Sequence, residues 1–287
     1  MTGSRKFIRW LLPTLGLVSA LVVAVVVIFI VTVLLQRGTS SVSIHFLTTD
    51  TRGAGSEGGI FYQILGTCIL IGSALAVAVP PALAISLVRS VFLQPHTRLG
   101  KALDLILHLL NGIPAIVFGI LGLLIFSKLF GWGKSWLAGG ILLGVMILPT
   151  LTVALIERLA AVPRAYIEAA TGLGLTRGQI ILAIWLPQSS GGLITGSLLG
   201  LARAAGETAP ILFVTAVFSG ATVPTGIVDN PLLALPYHIF VLAQDSFHEG
   251  ARANLWGAAL VLVTLITVLN LAALPLRFRL HEESRHA

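Results

Sequence analysis

The sequence predicts an all-α, polytopic membrane protein with six transmembrane helices, and three observations carry that expectation. Hydrophobic residues fill 56% of the 287 positions while charged residues fill only 10%, well under the roughly one quarter typical of soluble domains. So little charge cannot coat a water-soluble globule of this size. The apolar residues gather into long uncharged runs, and Lys and Arg sit mostly where those runs end, as expected of bilayer spans with flanking cations.

The runs lie at residues 11–35, 60–88, 105–127, 136–156, 188–218 and 255–276, each long enough for the ~20 helical residues that cross a hydrocarbon core. The first exceeds the ~7–15 residues of a signal-peptide core and reads as an uncleaved anchor. A polar, Gly-rich segment at 36–59 follows as an expected outer loop. Pro80 and Pro81 predict a break toward the end of the second run. Asn111, Gly112 and Pro114 predict a bend in the third, with Asn111 either lining a pathway or packing. A second outer loop, 219–254, has an apolar centre at 231–243 that predicts a short helix at the surface or dipping into the membrane. The chain thus divides into an N-terminal anchor with its outer loop (1–59), a five-helix core (60–276) and a terminal tail (277–287).

Direction follows from the cations. Arg5, Lys6, Arg9, Arg89, Arg98, Lys101, Arg158, Arg164, Arg177, Arg277, Arg279 and Arg285 fall on one side of the alternating runs; Arg37, Arg52, Lys128, Lys134 and Arg252 fall on the other. Twelve against five places both termini in the cytoplasm, by the positive-inside rule. Trp10, Trp132, Trp136 and Trp256 near run ends fit an interfacial aromatic belt. The same distribution excludes nucleic acid as the reason for the net charge of +7, because no basic tract interleaved with aromatics is present. Cys68, the single cysteine, lies within an apolar run and permits no internal disulfide.

Between the fourth and fifth runs lies a loop, 157–187, too long for a simple helix connection. Pro163 suits the first turn of a helix, since its missing N–H is an orphan there. Gly172 and Gly174 end that helix. Thr176 and Gln179 then form a T-x-x-Q capping box for a second one, which Pro187 is expected to close. Ala169, Ala170 and Gly174 give the corner small side chains that allow close approach by another surface, and Glu168 supplies an acid. On chemistry alone, an ordinary amphipathic turn at the membrane interface is the plainer alternative. The whole spacing, Glu168-Ala169-Ala170, Gly174, then Ile184, Leu186 and Pro187, resembles the "EAA" loop of ABC-importer permeases. That resemblance implies a type I ABC importer permease fold whose loop forms a coupling helix seated in an ATPase subunit. No G-x-x-x-x-G-K-[ST] phosphate loop is present, so nucleotide energy has to arrive from a partner.

Arg203 and Glu207 fall inside the fifth run, where each ion costs several kcal/mol. Spaced four apart, they are expected to share a helix face and pair, with Pro210 kinking the helix beyond them. Either they order the bundle as a buried ion pair, or Arg203 meets an oxyanion with its planar fork of donors. In the second case Glu207 neutralises the guanidinium in the resting state and accepts a hydrogen bond from a protonated phosphate oxygen, a donor that fully ionised sulfate lacks.

The stretch Arg203-x-x-Gly206-Glu207-Thr208-Ala209-Pro210 resembles the phosphate-specific transport permeases of PstA type. So do Phe46-Leu47-Thr48, Gly58-Gly59-Ile60-Phe61, Gly66-Thr67, Pro114-Ala115-Ile116-Val117-Phe118-Gly119 and Leu235-Pro236-Tyr237-His238-Ile239-Phe240, together covering most of the chain from about 46 to 276. The resemblance implies a substrate pathway at Arg203, Glu207 and Thr208. It further implies a second homologous permease subunit, two ATP-binding cassette ATPase subunits and an extracytoplasmic phosphate-binding protein, with no cofactor. The family pattern carries a further arginine shortly after a Leu-Pro pair in the fourth run; after Leu148 and Pro149 this chain has Val153. Another oxyanion, molybdate or tungstate, is the alternative substrate, and an ion-coupled carrier or anion channel the alternative class. The histidines His45, His96, His108, His238, His248, His281 and His286 show no metal spacing, and Asp104 with His108 reads as a helix-end hydrogen bond. A membrane enzyme lacks its catalytic constellation here.

Overall fold

The computed structural model describes residues 3–55, 57–93, 97–220, 222–244 and 249–286, with the backbone alone at 3–12, 54, 273 and 276–286. Arg5, Lys6, Arg9, Trp10, Arg277, Arg279, Arg285, His96, His248, His281 and His286 therefore lie outside the described side chains. The chain opens with α1 (Gly3–Gly38), a short α2 (Ile44–Thr48) and an antiparallel hairpin of β1 (Thr51–Arg52) and β2 (Glu57–Gly58). Then come α3 (Phe61–Leu87), α4 (Arg98–Gly112), α5 (Ala115–Gly122) and α6 (Trp136–Ala160). The second half holds α7 (Arg164–Gly172), α8 (Arg177–Ile180), α9 (Leu186–Gly206), α10 (Ala209–Val214), α11 (Leu235–Gln244) and α12 (Glu249–His286).

Among the described residues, four segments are long and apolar enough to cross a bilayer: Pro13–Gly38, Phe61–Phe92, Trp136–Ala160 and Glu249–Ala272. A fifth is gained if Arg98–Gly112 and Ala115–Leu129, bent by 91°, count as one. Two of the expected six spans are interrupted, the third at its expected bend and the fifth at Gly206. The third run folds sharply at Ile113, which takes extended backbone (φ −69°, ψ 128°) before Pro114, because a proline ring disfavours helical backbone in the preceding residue. The fifth run stops at Gly206, and α9 itself is diluted by Gln188, Ser189, Ser190 and several glycines.

The break expected at Pro80 and Pro81 does not occur. Helix α3 passes through both and loosens only afterwards, in a π turn at Val88–Phe92. Close packing holds it: Ala74, Ala78 and Ala82, one per turn, are fully buried. Their partner α6 is the centre of the molecule, with Leu143, Met146, Ile147, Leu151 and Leu155 sealed from the surface. Small residues set the spacing. A Cβ on Gly140 or Gly144 would fall 2.3 Å or 2.9 Å from atoms of Ser73 and Val77, and one on Gly196 would fall 2.6 Å from Leu151. Such small-xxx-small ridges let membrane helices approach closely enough for dispersion to hold them.

Helix α12 packs on α9 and α11, while α1 leans on α12 and presents its other faces outward as a lipid-facing span does. Cys68 is likewise exposed on α3. At one end of the bundle the hairpin is tied down by Asn254 Nδ2 donating to Gly55 O at 2.8 Å. Helix α11, the short element expected at 231–243, is docked there by Leu235 N donating to Thr67 Oγ1 at 2.9 Å.

Candidate substrate pathway and coupling surface

The two interruptions meet at one place. Helix α9 ends at Gly206, Glu207 turns extended (φ −77°, ψ 126°), and α10 restarts at Ala209 with Pro210 in its first turn. Glu207 therefore leaves the helix face it was expected to share with Arg203, and the pair is long, 3.9 Å from Arg203 Nε to Glu207 Oε1. The nearer partners of the guanidinium come from other helices. Arg203 Nη1 donates to Asn111 Oδ1 at 2.5 Å and to Thr150 Oγ1 at 3.4 Å, and Thr150 donates to the same Asn111 oxygen at 3.3 Å. Asn111 sits one residue before the last of α4, so the bend at Ile113 and Pro114 is what delivers it.

Thr208 occupies the N-cap position of α10 without using its side chain as a cap. Its carbonyl accepts from Leu212 N at 2.9 Å. Helix α10 lies against α5 because Gly119 has no side chain: a Cβ there would fall 3.0 Å from Ala209 O and 2.8 Å from the Phe213 ring. Irregular backbone at membrane depth survives where it is buried in protein or lines a watery cavity. Arg203 and Glu207 keep 28% and 21% of their side-chain surface open, so the cluster is accessible rather than sealed. It offers a cation, a carboxylate, an amide and the Thr150 hydroxyl within one space.

Thr150 escaped the sequence reading, although a hydroxyl directly after the helix-internal Pro149 was the available signal. Arg89 and Asp104 also pair unannounced, with two hydrogen bonds at 2.9 Å and 2.8 Å. The expected local bond is present as well, His108 Nδ1 lying 2.6 Å from Asp104 O.

In the loop, α7 ends at Gly172 and the chain reverses through Gly174 at φ +79°. Thr176 and Gln179 make the reciprocal capping box in full. Pro187, however, closes nothing. A π turn at Ile181–Trp185 leads directly into α9, leaving Pro187 in its first turn. A regular α-helix would set the proline ring against the carbonyl four residues back, and the wider π turn relieves that. An uninterrupted helical run thus extends from Arg177 to Gly206. It carries Ile184, Leu186 and Pro187 near one end and Arg203 near the other, about 25–30 Å away at 1.5 Å per residue.

Glu168, Ala169 and Gly174 are exposed, as are Leu186 and Pro187, while Ala170 is buried and Ile184 partly so. Ala169, Ala170, Ile184 and Pro187 line one open apolar groove of about 380 Å³ between α7 and the helical run. Leu173 and Leu182 stand out beside it, 81% and 66% exposed.

Residues 82–281 match the family described as "Binding-protein-dependent transport system inner membrane component". The chain is 36% identical over 224 residues to the Phosphate transport system permease protein PstA 2 of Mycobacterium bovis, covering 78% of this chain and 72% of that protein. It is 32% identical over 280 residues to the Probable phosphate transport system permease protein PstA of Methanocaldococcus jannaschii, covering 97% and 94% respectively. Its fold is similar to a chain of the MetNI methionine ABC transporter in inward facing conformations, with a TM-score of 0.58 and 15% identity over 77% of this chain and 94% of that one.

Proposed function

Since the chain belongs to the binding-protein-dependent transport system inner membrane components, the permease subunits of ABC importers, we propose that it is the subunit through which inorganic phosphate crosses the membrane. The observation that carries this reading is the Arg203 cluster, placed where two interrupted helices and the central α6 converge. A guanidinium held by an amide oxygen and a hydroxyl exchanges those neutral partners for phosphate oxygens at little cost. The new hydrogen bonds have charge on both sides and are the stronger ones. Glu207, at 3.9 Å, is near enough to balance the cation and far enough to let a guest in. The phosphate transport proteins to which the chain is similar support the choice of anion.

ATP drives the passage by alternating access. The Glu168 corner seats in an ATPase subunit, and the apolar groove of Ala169, Ala170, Ile184 and Pro187 is the surface gripped. Helix α9 transmits the motion, because the run that begins at the corner ends at Arg203. A second homologous permease, two ATPase subunits and an extracytoplasmic phosphate-binding protein complete the machine. Both termini face the cytoplasm. Residues 1–59 serve as anchor and outer loop, 60–276 as the permease core with its coupling loop at 157–187, and 277–287 as a cytoplasmic tail.

The test is uptake of labelled phosphate by proteoliposomes holding the co-purified complex, with and without ATP and with molybdate, tungstate or sulfate as competitors. Uptake should require ATP, yield to phosphate far better than to the other oxyanions, and vanish in Arg203→Ala while the subunit still inserts and assembles. Normal uptake by Arg203→Ala, or uptake by this subunit alone, ends the proposal.

A further inference from the structure

We infer that a cleft at the joint of α6, α7 and α9 is a second oxyanion site, built for a phosphate group and separate from the Arg203 cluster. The cleft measures about 120 Å³ and is lined by Arg158, Ala161, Val162, Pro163, Tyr166 and Gln188. At about 30 Å³ for a water's share of liquid volume, it holds the equivalent of about four waters, room for one small oxyanion. No carboxylate lines it.

Three features put positive charge or donors beside this space. The first is Arg158, which forms no ion pair among the described residues and whose Nε is buried with no hydrogen-bond partner. A buried unpaired donor on a charged group is costly. The chain nonetheless makes way for it: a Cβ on Gly191 would fall 3.3 Å from that Nε, and one on Gly192 would fall 2.8 Å from the Arg158 Cβ. The second is the start of α7. Its N-cap is Pro163 and no side chain caps it; Tyr166 N donates to Pro163 O at 3.2 Å, and the positive end of a nine-residue helix lies beside the cleft. The third is the neutral donor pair of Gln188 and Tyr166 at the rim.

An oxyanion there bridges the end of α6 to the start of α7, across the joint through which the Glu168 corner moves α9. On the orientation proposed above, that joint faces the cytoplasm. Two sources supply the chemistry on that side: inorganic phosphate after its import, and the phosphodiester of an anionic lipid headgroup. In the first case the site acts as a brake set by the product; in the second it seats the coupling loop on the membrane.

The experiment uses the assembled complex carrying Arg203→Ala, which removes the pathway cation and leaves the cleft intact. In detergent, labelled inorganic phosphate is titrated by equilibrium binding. In nanodiscs of phosphatidylcholine with phosphatidylglycerol, retained lipid is counted by native mass spectrometry. One of the two ligands should bind the Arg203→Ala complex. Adding Arg158→Gln should weaken it about tenfold or more, the scale of losing one charge-assisted contact. Ala161→Leu fills the cleft from an exposed position without touching charge and should do the same. Binding of neither ligand, or binding indifferent to both Arg158→Gln and Ala161→Leu, overturns the site. Failure of the phosphate-import reading shows instead as absent uptake by the unaltered complex, and leaves the lipid arm standing.

Discussion

Replacing Gly174 separates what the backbone demands from what a docked partner demands. Gly174 sits at φ +79°, and a Cβ built on it meets no atom of this chain within 4 Å. Any L-residue there bears about 1–2 kcal/mol of left-handed strain, and alanine and leucine bear it alike. Within the isolated subunit, Gly174→Ala and Gly174→Leu should therefore lose similar thermal stability. Against a tightly packed ATPase surface they differ, because the extra carbons of leucine overpack the interface by about 1–3 kcal/mol. At 1.4 kcal/mol per factor of ten, that is roughly a 5- to 150-fold loss in assembly. Co-purification of the ATPase subunit and phosphate-stimulated ATP hydrolysis in proteoliposomes read it out. Alanine and leucine variants that assemble and couple equally would mean that nothing packs against the corner.

Three further outcomes follow from the same coordinates. Asn111→Leu strips Arg203 of its closest partner and should lower phosphate uptake by about 1.5–3 kcal/mol in transition-state terms, with membrane insertion unchanged on a fractionated blot. His238 stacks on Phe218 with ring centroids 5.4 Å apart in α11, which is too short to span, and burial holds its pKa at about 4. Its ring is neutral when folded but takes a proton at about 6.5 when unfolded, so its contribution is complete above pH 6.5 and drains away as pH falls toward 4, by about 2–3 kcal/mol. Melting curves from pH 7 to 4.5 should show that loss, and His238→Gln should flatten it. Gly66→Ala places a Cβ 2.0 Å from Leu233 O; the backbone must move, and the detergent-solubilised protein should lose about 2 kcal/mol or more.

What the sequence revealed and what it concealed divide along a physical line. Runs of apolar residues disclose spans because the bilayer imposes one length on all of them. Short-range chemistry was equally readable: the capping box of Thr176 and Gln179, the end of α7 at Gly172 and the helix α11 depend on neighbours within a few residues. The failures are cases where tertiary packing overrides a local rule. Pro80 and Pro81 were expected to break α3, but α6 holds it straight. Pro187 was expected to stop a helix, but a π turn takes up the strain. Arg203 and Glu207 pair at i and i+4 as expected, at 3.9 Å, but not on one helix face, because α9 ends between them. Nothing in the order of residues places Asn111 and Thr150, 92 and 53 positions from Arg203, around one guanidinium. The packing of α4 and α6 against α9 does that.

The placement of those partners decides how motion at one end of α9 reaches the other. Gly192, Gly196 and Gly200 seat α9 on α6 at Arg158, Leu151 and Ile147, so the helical run is clamped along its middle. A body held in that way moves its ends against each other. Apolar packing tolerates a small slide at the clamp, since dispersion falls off gradually with separation. Hydrogen bonds at the tip do not, because they fail within about an ångström of stretch. The tip carries Arg203, and its partners belong to α4 and α6 rather than to the moving run. In the proposed cycle, displacement at Ile184 and Pro187 is felt first as the release of Asn111 and Thr150 from the guanidinium, while the core stays packed. A cation freed from its neutral partners is left with anions, Glu207 at 3.9 Å and an incoming oxyanion. On the coupling proposed above, the affinity of the pathway, and not merely its opening, is a quantity that the distant corner controls.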